Sequence, residues 1–245
     1  MSSANIIVTG SSALALAAVF LLAGRLRPVG ALIHDRGRLL SLGAGVSIAY
    51  VFLHMMPEIA DAREAYAVSA TVPVLFGGMM VYLVALAGFM AYYGLEIVRG
   101  RVRASSRSHS DEKNFGIHIG GFAVYVWLIS YILVNRVEKT PLHIGIYTVA
   151  MAAHFLTIDH SLREEHGVLY ERTGRYLLSA ICVLGWLTGV IWPLPLYWVA
   201  VMVAFVSGAI IMNSAIIELP NRNEGRFLAF VTGGVIYGLL LTPLG

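Results

Sequence analysis

The sequence predicts an all-α integral membrane protein of eight transmembrane helices, with both termini on the extracytoplasmic side. Three observations carry that prediction. Of 245 residues, 58% are hydrophobic and only 13% charged, and the mean hydropathy is +0.76. A soluble domain of this length has no use for so much apolar surface. Runs of about 20 apolar residues, long enough for a helix to cross the hydrocarbon, recur along the whole chain. The basic residues then collect on alternate connections.

In order, the spans are Ile6–Leu26, Leu39–Glu58, Val72–Val98, Phe115–Val134, Leu142–Ser161, Tyr176–Trp192, Leu196–Ile217 and Phe227–Leu241. The first follows MSSANIIVTG, which has no basic n-region, so a retained helix is expected rather than a cleaved signal. The sixth and seventh are separated only by WPLP, Trp192 to Pro195. Its two prolines and the neighbouring Tyr197 and Trp198 suit a tight reversal at an aromatic belt.

Orientation follows from the connections. One set holds Arg25, Arg27, Arg36 and Arg38, then Arg99, Arg101, Arg103, Arg107 and Lys113, then Arg163, Arg172 and Arg175, then Arg222 and Arg226. The other set holds Arg63, Arg136 and Lys139. A 14-to-3 division places the first set in the cytoplasm, and an odd number of spans would scramble it. The whole chain, 1–245, reads as one polytopic membrane domain whose longest connection, 99–114, is a cytoplasmic Arg/Ser-rich linker containing His109. The net charge of +3 is therefore a matter of topology and no sign of nucleic-acid binding. A single cysteine, Cys182, rules out a disulfide framework and a CxxC metal site.

Polar residues inside apolar spans are the functional candidates, because a helix in lipid aligns such groups only toward a cavity or another helix. In the second span Ser47, Tyr50, His54, Glu58 and Asp61 fall within roughly 60° of one another, with Gly43 on the same stripe. In the fifth, His143, Tyr147, His154, Thr157 and Ser161 share a face within about 80°, while Asp159 points away and His160 to the side. Asp159 and Arg163, four apart, suit a pair at the membrane surface, and Glu164, Glu165 and His166 read as solvated loop. Asn213 suits an interhelical hydrogen bond. Glycine pairs Gly116/Gly120, Gly185/Gly189 and Gly234/Gly238 read as close helix contacts. The phrases GVSIAYVFLHMMPE and GAIIMNSAIIELPN each set a proline twelve residues after a glycine, the trace an inverted repeat leaves in a transporter.

VFLHMMPE (Val51 to Glu58) at the end of the second span and IIELP (Ile216 to Pro220) at the end of the seventh resemble the ZIP (Zrt/Irt-like) divalent-metal transporters. The resemblance implies eight helices in a three-two-three arrangement, both termini outside, and a divalent metal carried toward the cytoplasm. It departs where that family's metal site lies. FAVYVWLISY (Phe122 to Tyr131) lacks the H-N-x-P-E/D-G pattern, and AHFLTIDHSL (Ala153 to Leu162) keeps only His154 of H-E-x-P-H/E-E. Phe155 stands for the acid and Ile158 for the second ligand.

Depth along the helices groups His118, His154, Asp159, His160 and Glu218 at an inner mouth as metal ligands, with His154 central. The same argument groups His54, Glu58, Asp61 and His143 at an outer mouth. Imidazole with carboxylate suits Zn²⁺ first, then Fe²⁺ or Mn²⁺. The metal is expected as substrate, with no permanently bound cofactor. The other expected partner is the lipid bilayer, expected to be the plasma (inner) membrane, and a homodimer stays open. No phosphate loop, Ser/His/Asp order or HExxH is present, so an enzyme is not expected. The competing readings are a non-transporting scaffold or metal sensor, a haem or quinone protein, and an intramembrane hydrolase using the same histidines.

Overall fold

The computed structural model describes residues 3–26, 36–69, 78–104, 110–135, 141–214 and 226–241. These are almost entirely helical, and no strand occurs among the described residues. The helices are α1 (Ser3–Leu22, continued by a 3-10 turn Ala23–Leu26), α2 (Arg36–Tyr50), α3 (Met56–Ser69), α4 (Met79–Ala104) and α5 (Ser110–Asn135). They continue with α6 (Pro141–Leu169), α7 (Arg175–Ile191), α8 (Leu196–Met212) and α9 (Phe227–Leu241). Five stretches are long and apolar enough to cross a membrane: Asn5–Leu22, Ser41–Ala67, Met79–Val98, Asn114–Val134 and Tyr147–Ile191. Leu196–Met212 and Phe227–Leu240 are apolar but shorter.

The 45-residue stretch Tyr147–Ile191 is more than twice the length that a ~30 Å hydrocarbon layer requires. It is divided at Gly167, whose φ of 47° and ψ of −115° no helix contains. Glycine is needed there because a side chain is strained at positive φ. A π turn, Tyr170–Gly174, then leads into α7.

A second π turn, Val51–Met55, joins α2 to α3, its ring closed by Met56 N–H donating to the Val51 carbonyl. Pro57 has no N–H to give the preceding turn, so the helix widens at this point instead of ending. The second span consequently runs on to Ser69, eleven residues past the Glu58 boundary expected from sequence. Likewise α6 continues to Leu169 and not Ser161, because neither Gly nor Pro interrupts it between Gly145 and Gly167.

The chain forms two compact units, Met1–Gly24 with Ala91–Pro195, and Arg25–Met90 with Leu196–Gly245. In the first, α1 packs on α6 and α7, and α5 packs on α7. The contacts fix directions. Thr9 Oγ1 accepts from Trp186 Nε1 at 3.2 Å and Cys182 Sγ meets the Ala13 carbonyl at 3.5 Å, so α7 runs against α1. Phe20 lies 5.0 Å from Phe155 and Gly24 meets the Arg163 guanidinium, so α6 runs with α1. Gly174 faces Ile119, Gly185 faces the Trp127 carbonyl and Gly189 the Tyr131 carbonyl, so α5 and α7 are parallel. The Tyr131 hydroxyl donates to the Trp192 carbonyl at 2.7 Å and accepts from Leu194 N–H at 3.1 Å, which secures the WPLP segment.

In the second unit α9 packs on α2, α8 on α3, and α4 meets α8. Ser41 Oγ accepts from Arg226 N–H at 2.9 Å, Gly45 abuts Phe230 and Gly234, and Tyr50 and Tyr237 lie 6.4 Å apart; α2 and α9 therefore run in parallel. Gly88 sits against the Phe205 carbonyl and Gly208 against the Ala85 carbonyl. Small residues let these backbones touch where lipid offers no hydrophobic drive for association. Of the glycine pairs expected to pack, Gly185/Gly189 and Gly234/Gly238 do, whereas Gly116 and Gly120 face open space.

Candidate metal centre

Three possible ligands converge in the first unit. His118 extends from α5, and Glu165 and His166 from the last turn of α6 before the Gly167 break. Their ligand atoms all lie within 4.8 Å of one another. His118 Nδ1 is 2.9 Å from His166 Nε2 and 3.6 Å from Glu165 Oε2. Bonds of about 2.0–2.1 Å in a tetrahedron put neighbouring ligand atoms about 3.3 Å apart, so the two separations from His118 lie within about half an ångström of that spacing. His118 is buried and Glu165 nearly so. Phe122 lies 5.0 Å from the His118 ring and Phe115 stands edge-on to His166 at 5.3 Å, giving the group apolar walls. A tetrahedral ion held by these three residues would keep a fourth position for water.

Of the described residues expected at the inner mouth, His118 alone is in this group. His154 is buried, but its Nε2 is engaged by the Tyr125 hydroxyl at 2.6 Å, 29 residues away on α5. Between the two histidines runs an aromatic ladder, His118–Phe122–Tyr125–His154, with ring separations of 5.0, 6.1 and 5.7 Å. Asp159 is held by Arg163 through both carboxylate oxygens at 3.0–3.1 Å and accepts from the Tyr170 hydroxyl at 2.7 Å. The expected Asp159–Arg163 pair therefore exists, but in the interior: the two residues are 2% and 5% exposed. His160 turns outward and faces Glu164 at 3.5 Å. Glu218 lies outside the described residues.

Glu165 and His166, expected in a solvated loop, belong instead to the helix. The uninterrupted run from Gly145 to Gly167 was the signal for them, since the apolar stripe Met151, Phe155, Ile158, Leu162 carries the helical period right up to the break.

At the expected outer mouth Glu58 is buried and His54 half-buried, its ring 5.1 Å from Tyr50; Ser47 and Tyr50, on the polar stripe of the second span, are buried as well. Asp61, expected on the same stripe, is exposed, because the buried face after the π turn runs through Glu58, Ile59 and Ala62. His143 is part of α6, but its side chain lies outside the described residues. Asn213 is buried at the end of α8.

A scan against protein-family models, a search of curated proteins and a search of solved structures each return no match for this chain.

Proposed function

We propose that this protein carries a divalent transition metal, zinc first, across a membrane toward the cytoplasm, on an eight-span ZIP-like plan with both termini outside. One observation carries the reading: two imidazoles and a carboxylate meet among apolar helices at separations suited to zinc. Nitrogen-rich coordination favours Zn²⁺ over Mg²⁺ or Ca²⁺, which take oxygen. A divalent ion in such a site offsets the cost of placing Glu165 in apolar surroundings.

The helix directions within each unit support the eight-span plan. If the chain crosses alternately and Gly167 separates the fifth span from the sixth, the first and fifth spans run parallel, as do the fourth and sixth, and the second and eighth. All three relations match α1 with α6, α5 with α7, and α2 with α9. The 14-to-3 distribution of basic residues supports the orientation.

Against bis-histidine haem on His118 and His154, the Phe122 and Tyr125 rings stand between the two imidazoles and the Tyr125 hydroxyl engages His154 Nε2 at 2.6 Å.

The transport test is radioactive zinc, iron and manganese uptake into proteoliposomes. Zinc flux above that of empty vesicles is expected, and no flux for any of the three would leave a metal sensor or scaffold. Orientation is tested with His109→Cys in intact cells. Impermeant maleimide should not reach it until the membrane is opened, and labelling from outside would overturn the eight-span plan. Cys182 will not interfere, because its thiol is buried.

A further inference from the structure

We infer that Asp159, Arg163 and Tyr170 form a staple that positions the metal ligands. This rests on the metal-centre reading and assigns Asp159 a role other than ligand. The Gly167 break leaves the last turn of α6 without a continuing helix to hold it. Two contacts cross the break. The Tyr170 hydroxyl donates to Asp159 Oδ1 at 2.7 Å, and Arg163 Nη1 donates to Glu171. Arg163 also grips Asp159 through Nε and Nη2, and its guanidinium lies 5.4 Å from the Tyr170 ring centroid. On the far side, Gly24 approaches that guanidinium so closely that a Cβ there would lie 2.9 Å from Nη1.

Glu165 and His166 fall between the ends of this staple, two and three residues after Arg163 and before Tyr170. Closing a short loop at both ends removes most of its conformational freedom, and ligand side chains bind metal well only when held within about 0.5 Å of their places. The staple is therefore a preorganising device, and His118, on α5, is the ligand it is aligned with. By linkage, metal bound to Glu165 and His166 also steadies the corner.

The test uses the full chain in nanodiscs with cobalt(II), whose visible ligand-field bands report coordination directly. Wild type should show bands of a low-coordinate nitrogen/oxygen site, and His118→Ala should lose them. Tyr170→Phe removes one hydroxyl from the staple and no ligand. It should weaken cobalt binding about tenfold, as outer partners of metal ligands do, and alter the bands while helicity and elution stay unchanged. Asp159→Asn should do the same more strongly, with Arg163→Lys intermediate; if Asp159→Asn fails to fold, Tyr170→Phe decides. Wild-type affinity and spectrum in folded Tyr170→Phe would overturn the staple. A wild-type chain that binds no cobalt would overturn the metal centre and the staple together. Binding with these spectral effects but no vesicle uptake would uphold the staple and overturn only the transport reading.

Discussion

His118→Ala will lower zinc affinity by about 100-fold or more and abolish uptake. The size follows from the ligand count. Outer partners of metal ligands alone change affinity by about 10–100-fold, and His118 is one of three candidate ligands that converge among the described residues. It is also the sole member of the group on α5, so without it nothing joins that helix to the end of α6 through the metal. Isothermal titration of purified variants measures the effect. His160→Ala, which removes an outward-facing imidazole, should bind as wild type does. His154→Ala should also keep zinc affinity within about threefold, since it removes the hydrogen bond to the Tyr125 hydroxyl, a net stability cost of about 0.5–1.5 kcal/mol, and not one of the three converging groups. Equal loss in His154→Ala and His118→Ala would show that the ZIP-like position on the fifth span holds the metal. In wild type the affinity should fall on acidification, because both imidazoles must be unprotonated at the nitrogen that binds.

Gly45→Leu should strongly damage the packing of α2 on α9. A Cβ at Gly45 would strike the Phe230 carbonyl and lie 2.9 Å from the Gly234 nitrogen. Both are helix backbone, which cannot rotate aside as a side chain would. Overpacking of this kind costs about 3 kcal/mol, equivalent to a melting-point drop of roughly 6–12 °C for a chain this size. Gly43→Leu, two residues earlier, is the control: no atom lies within 4 Å of a Cβ there, and its melting point should barely move. A melting curve in detergent compares the two. Similar losses in both would mean that helix propensity or insertion, and not the α2–α9 contact, sets the effect.

The helical architecture was legible because hydrophobic runs are a local, one-dimensional signal. The site was legible only in part. His118 stood out as a polar residue within an apolar span, but its partners did not. Glu165 and His166 belong to a Glu-Glu-His triplet after an arginine, a composition that reads as solvent-facing loop. Only the depth of α6 and the break at Gly167 bring them against α5. Asp159 and His154 looked like ligands on residue type and depth, yet each has a closer claimant, Arg163 with Tyr170 in one case and Tyr125 in the other. Sequence spacing shows which face of its own helix a residue occupies. It does not show which side chain on another helix arrives there first.

The π turn at Val51–Met55 has a consequence for how one helix serves two neighbours. The buried residues Ala44, Ser47, Val51, Met55, Glu58 and Ala62 keep an unbroken spacing of three to four along the chain, as though they formed one straight stripe. A π turn consumes an extra residue, so in space that stripe swings by roughly a quarter of a revolution as it passes the widened turn. Ahead of it the stripe meets α9, and after it the same stripe meets α8. Pro57 thus converts a single repeating pattern into a swivel that passes the helix from one partner to the next, with His54 at the pivot.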